Sequence, residues 1–160
     1  MNQFEEQFLF LNKIAEKYRA LEYHLDVQIS ILVGLSSAIF VFANSRNPIT
    51  LPFLVLGIFS GITAVCSLFA IHPPKFMRGK NRERSFFHNK KIASFKSSAE
   101  YKKVISNALE NKDVIMDESI LEIYNMVKYY YQPKRLLLKL SRNILVSGII
   151  ISSILFMVRY

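Results

Sequence analysis

Three stretches of this chain contain no Lys, Arg, Asp or Glu: residues 27–45, 47–74 and 143–158, which are 19, 28 and 16 residues long. A soluble domain spreads its apolar residues among charged ones, because each helix or strand turns a polar face to water. Uncharged runs of this length suit the hydrocarbon layer of a membrane, which is roughly 30 Å thick and takes about 20 helical residues to cross. Residues 27–45 reach roughly 29 Å as a helix, 49–71 roughly 35 Å, and 143–158 only about 24 Å. Arg142 and Arg159 flank the short run, and their aliphatic stems can extend it by snorkelling. The expected fold is therefore an all-α integral membrane protein with three transmembrane helices, at 27–45, 49–72 and 142–159.

Charge placement orients the spans. The whole chain carries a net charge of +9. Fifteen Lys or Arg lie between His72 and Ser141, whereas the link between the first two spans holds only Arg46. The positive-inside rule places the basic segment 73–141 in the cytoplasm. Two spans separate it from residues 1–26, so these lie on the same side. No basic n-region or small-residue cleavage site precedes the first run, and that run reads as a retained anchor. Cys66 is the only cysteine, so neither an internal disulfide nor a multi-thiolate metal site is expected.

Residues 1–26 carry Phe4, Phe8, Leu11, Ile14, Ala15, Tyr18, Leu21 and Leu25 at spacings of three and four. This predicts an amphipathic helix continuous with the first span. Its stripe either packs on the chain's own cytoplasmic helices or forms a coiled-coil seam between protomers. Small and hydroxylated residues recur within the spans, with Ser37 in the first, Gly57, Ser60 and Gly61 in the second, and Ser147 and Gly148 in the third. Gly57 and Gly61 form a GxxxG, which allows helix backbones to approach closely. These six are the candidates for span packing or for lining a pore. With no ionisable residue inside a span core, a proton relay is not expected, but hydroxyls could line a pore after oligomerisation.

The segment 73–141 reads as a small helical sensor domain. Pro73-Pro74 stops the second span, Ser97 or Ser98 can cap a helix running to Glu110, and Asp117 can cap another. No metal-ligand spacing, phosphate loop or nucleophile motif is present, so neither an enzyme nor a cofactor is expected. The chemically richest stretch is 75–91, with seven Lys or Arg against Glu83 and an inserted Phe86-Phe87-His88. Such a run can be an ordinary juxtamembrane patch attracted to anionic membrane lipid. Alternatively it forms an anion pocket, in which cations take phosphate and aromatic rings stack a base. The candidate ligand residues on the second reading are Arg78, Lys80, Arg82, Arg84, Phe86, Phe87, His88, Lys90, Lys91 and Tyr101.

The order of these landmarks resembles the Pycsar transmembrane effector family. The resemblance runs through Leu25-Asp26-Val27-Gln28 at the first span, His72-Pro73-Pro74-Lys75 after the second, and Phe86-Phe87 with Ile92-Ala93-Ser94 and Glu100-Tyr101. It continues through Ile120-Leu121-Glu122-Ile123-Tyr124 and the stretch 128–135 before the last span. Gln28 stands where the family often has Lys, and His88-Asn89-Lys90-Lys91 where it often has Gly. The resemblance implies an antiphage effector of the bacterial inner membrane that is held inactive until a nucleotide signal changes. It then permeabilises or depolarises that membrane and aborts infection. It also implies a functional partner, a nucleotide cyclase making a cyclic pyrimidine mononucleotide. Related defence operons pair similar small membrane effectors with a nucleotidyltransferase making an oligonucleotide, and the expected assembly is a homo-oligomer forming an ion-conducting pore. The number of cations in 75–91 suits the second messenger at least as well as the first. Two rivals dispense with gating altogether, a structural protein whose basic patch reads lipid and a holin-like toxin.

Overall fold

A computed structural model of the chain describes residues 3–78 and 85–159, and every regular element among them is helical. Helix α1, Gln3–Asn44, is unbroken over 42 residues. It contains no proline and one glycine, so nothing in its sequence interrupts the hydrogen-bond ladder. Hydroxyls along it bond back to the preceding turn: Ser30 Oγ to the Asp26 carbonyl at 2.9 Å and Ser36 Oγ to that of Leu32 at 2.7 Å. After α1 the chain turns tightly. Arg46 lies in that turn with its guanidinium 4.9 Å from the Phe42 ring centroid and 5.7 Å from that of Phe53.

Helix α2, Leu51–Ile71, follows extended Thr50 and carries Pro52 in its first turn, where the missing N–H would have had no partner. It stops ahead of Pro73-Pro74, and a short 3-10 turn, Lys75–Arg78, comes next. Beyond a one-turn α3, Asn89–Ile92, helix α4 spans Ser98–Glu110. Ser97 Oγ accepts from the Glu100 N–H at 3.2 Å, while the Glu100 carboxylate accepts from the Lys96 N–H at 2.8 Å. Helix α5, Lys112–Met126, starts five residues before the expected cap at Asp117. Asn111 caps it instead, its Oδ1 accepting from the Asp113 N–H at 3.1 Å, so Asp117 lies within the helix.

From α5 the chain enters a π-helical segment, Val127–Tyr131, and then α6, Gln132–Arg159, without a break. Pro133 supplies a physical cause for the wide turn. Its ring crowds the preceding turn and it has no N–H to donate, and an i→i+5 pattern (Gln132 N–H to the Val127 carbonyl) re-pairs the backbone around it. The third apolar run thus belongs to a helix of 28 residues, long enough to offset the shortness of its uncharged part.

Helix α2 packs along both α1 and α6, which meet each other at the end nearer the helical domain. There Ile29, Ala70 and Leu137 form a common core. α1 and the α5–α6 rod run parallel. Lys112 Nζ lies over the Phe4 ring, Tyr18 meets Tyr131 edge to face at 5.8 Å, and Lys134 meets Glu22 and Asp26. Along the α1 stripe, Phe4, Phe8, Leu11, Ile14, Ala15, Tyr18 and Leu21 are partly shielded and Leu25 is buried, whereas Leu9 and Phe10 are exposed.

The three long helices are apolar enough to cross a membrane, and their polarity is inverted relative to a soluble bundle. Ile31, Leu35, Leu54, Ile58, Val65, Leu68, Ile150 and Ile154 face outward, while Ser36, Ser60, Thr63, Ser67, Ser141 and Ser152 are buried between helices. Small residues inside and large aliphatics outside is the arrangement lipid favours, since lipid gives large side chains no reason to hide. Ser152 Oγ donates across to the Pro52 carbonyl at 2.9 Å.

Candidate functional site

Where α1, the 85–88 turn, α5 and the π segment converge, a cavity of about 390 Å³ opens, lined by Glu22, Ser85, Phe87, His88, Glu122, Asn125, Met126 and Tyr130. The turn is pinned to α5 by the Phe86 N–H, which donates to Glu118 Oε2 at 2.8 Å. Buried Ser85 accepts from the Phe87 N–H at 3.1 Å, fixing the bend that projects the next two side chains. His88 Nε2 then lies 3.2 Å from the Tyr130 hydroxyl, joining the turn to the π segment. A second cavity of about 380 Å³ lies alongside, between Phe8, Leu11, Ala15 and Arg19 of α1 and Ser119 and Ile123 of α5. Phe87, Glu122 and Met126 line both cavities.

Carboxylates shape the electrostatics. Burial pushes the Glu122 carboxyl above its ordinary value; Glu118 adds to that shift and Arg19 opposes it. Glu22 is held on its other side by Lys134, whose Nζ is 2.8 Å away. Together, an aromatic wall, an imidazole, a phenol, an amide and two carboxyls can hold a planar heterocycle and hydrogen-bond its edge. Among the described residues, no group of three or more His, Cys, Asp or Glu is placed to hold a metal ion.

The residues singled out from sequence are distributed unevenly around this site. Phe87 and His88 line the cavity, and Phe86 anchors the turn through its backbone. Lys91 and Tyr101 belong to another cluster: the Tyr101 ring is 5.3 Å from that of Phe95, and Lys91 Nζ lies 6.0 Å from the same Phe95 ring. Lys80, Arg82 and Arg84 lie outside the described residues, as do the side chains of Arg78 and Lys90. Within the spans, Gly57 and Gly61 face α1, where an added Cβ would come within 3.2 Å of Asn44 Nδ2 and of the Phe40 ring respectively. Ser60 is buried and bonds the Gly57 carbonyl at 3.0 Å. A Cβ on Gly148 would sit 2.3 Å from Phe59 Cβ, so α2 and α6 touch there. Ser37 and Ser147 are exposed on the outer surface.

Glu22, Glu122, Asn125 and Tyr130 were not among the sequence candidates, though one signal pointed to Glu122. It shares a face of α5 with Ile115, Ser119 and Met126, at helical spacing, so a lone carboxyl stands where the stripe calls for an apolar residue.

The family model described as the Pycsar effector protein domain (PycTM) matches residues 10–159. No curated protein and no solved structure matches the chain.

Proposed function

The chain belongs to the Pycsar effector family, and from that premise we propose that it is a membrane effector of antiphage defence, opened by a cyclic pyrimidine mononucleotide from a partner cyclase. The observation carrying this reading is the cavity at the π segment, because the segment continues directly into α6. Phe87 and Tyr130 flank the base, and Glu122 and Asn125 read its edge. The described residues lining the cavity include no Lys or Arg, so charge for the phosphate is left to the basic run 75–91 of the sequence. Glu22 and Glu122 on the walls favour a ligand with a single phosphate over a longer polyanion, which would meet carboxylates along its length.

The chain acts by changing shape, not by catalysis. Ligand bound against Tyr130 shifts the π segment, and α6 moves relative to α2. A near-complete switch needs about 5.5 kcal/mol of differential affinity, which several protomers of a homo-oligomer supply together. In that assembly the N-terminal half of α1 and residues 73–141 face the cytoplasm, where the messenger is made. Since Gly57, Ser60, Gly61 and Gly148 are occupied within the chain, outward-facing Ser37 and Ser147 are the better candidates for contacts between protomers or for a pore lining.

Expression in bacteria with and without the partner cyclase, read with a membrane-potential dye, tests the proposal. Depolarisation that requires an active cyclase is the expected result. Killing that is indifferent to the cyclase would favour a holin-like toxin, and no effect on potential in either case would favour a structural protein.

A further inference from the structure

On the other side of the π segment from His88 lies a groove of about 430 Å³, lined in part by Phe76, Lys128, Tyr129, Pro133 and Leu136. Its depth is fixed by its neighbours. Phe76 follows Pro73-Pro74 at the end of α2, and Pro133 and Leu136 flank the Lys134 clamp where α6 leaves the domain. The groove therefore lies at the level where the apolar helices meet the polar layer. Phe76 is 79% exposed and Leu136 60%, a cost in water but not beside acyl chains.

The opposite wall is cationic. Lys128 Nζ donates to the Tyr124 hydroxyl and lies 4.9 Å from the Tyr124 ring centroid and 5.6 Å from that of Tyr129. Its close neighbours are phenols, which hold the ammonium in place without neutralising it. Lys75, exposed and adjacent to Phe76, adds a second positive charge at this level. An apolar floor beneath a held cation at the membrane boundary matches one kind of molecule: an acyl chain joined to a phosphate.

We propose that this groove binds an anionic phospholipid of the adjoining leaflet, with its phosphate on Lys128 and the start of an acyl chain on Phe76 and Leu136. The inference needs the helices to span a membrane but does not depend on which nucleotide, if any, the protein senses.

The test is native mass spectrometry of the full chain in detergent, supplied with equal amounts of phosphatidylglycerol and phosphatidylcholine bearing the same acyl chains. The wild type should retain phosphatidylglycerol preferentially. Lys128→Gln should reduce that preference about fivefold, as expected for one juxtamembrane charge, and Lys128→Arg should preserve it. Phe76→Ser should lower retention of both lipids. Equal retention of the two lipids by the wild type, or an unchanged preference in Lys128→Gln, would overturn the proposal. So would displacement of the bound lipid by soluble glycerol phosphate at matched concentration, because the acyl chain would then contribute nothing.

Discussion

Lys134 Nζ lies 2.8 Å from Glu22 Oε1, an ion pair between residues 112 positions apart that ties the start of α6 to the middle of α1. The same ammonium lies 2.9 Å from Asp26 Oδ1, and its side chain is only 9% exposed. Glu22 also lines the cavity. A ligand reaching Glu22 therefore competes for, or rearranges, the contact that positions α6. This gives the proposed switch a physical route from cavity to membrane.

Lys134→Ala removes the buried ammonium and leaves the partly exposed Glu22 and Asp26 carboxylates without their shared cation. It should cost about 1–3 kcal/mol, read as a lowered midpoint of thermal unfolding in detergent. Asp26→Asn should cost much less, because Asp26 is half exposed and Glu22 still pairs with the lysine. Equal losses from the two substitutions would show that the clamp is not organised around Lys134.

Gly148→Ala should push α2 and α6 apart, since its Cβ would fall 2.3 Å from Phe59 Cβ, on the main stem of that side chain. Overpacking of this kind costs about 1–3 kcal/mol. Gly34→Ala is the control, because nothing lies within 4 Å of a Cβ added there; it should not destabilise, and the gain in helix propensity should raise stability by up to about 1 kcal/mol. Adding Phe59→Ala to Gly148→Ala should recover little, because alanine keeps the Cβ that the new methyl meets at 2.3 Å, and full recovery would place the strain on the ring instead.

These predictions divide along the line between what the sequence made legible and what it did not. Three helices long enough to cross a membrane followed from the uncharged runs, because exclusion of charge by lipid leaves a mark on every residue of a span. Ser97 was readable as a cap because capping is local chemistry. Asp117 was misread, since Asn111 satisfies the same rule six residues earlier and the sequence does not say which is used. The cavity was only half legible. Phe87 and His88 stood out within a basic run, but Glu22 lies on α1 while Asn125 and Tyr130 lie on the α5–α6 rod, and only the parallel packing of the two brings them together. The π turn was invisible as well, although Pro133, its physical cause, was in plain view.

Glu122→Gln should change how stability depends on pH. Burial raises the Glu122 carboxyl above its ordinary 4.5 in the folded protein. The folded state therefore holds this proton more tightly than the unfolded chain. The stability it contributes is present at low pH and is lost as pH rises through the raised value. Glutamine cannot ionise, so the unfolding midpoint of the variant should gain on the wild type from pH 4 towards pH 7. A constant difference across that range would mean the Glu122 carboxyl ionises as it would in water.

Tyr130→Phe removes the hydroxyl 3.2 Å from His88 Nε2 and keeps the ring. If this contact couples the turn to the π segment, about fivefold more nucleotide should be needed for half-maximal response, the equivalent of one hydrogen bond. Thermal stability without ligand should fall by no more than about 1 kcal/mol. A variant with an unaltered nucleotide response would remove Tyr130 from the route.

The most direct measurement is ion efflux from liposomes that contain the purified chain with its helical domain accessible to added ligand. Efflux should be low in buffer and rise when a cyclic pyrimidine mononucleotide is added, with purine analogues much weaker. Efflux that is equally high with no nucleotide, or that stays at the level of protein-free liposomes with every cyclic mononucleotide tried, would contradict the account of this protein as a nucleotide-opened membrane effector.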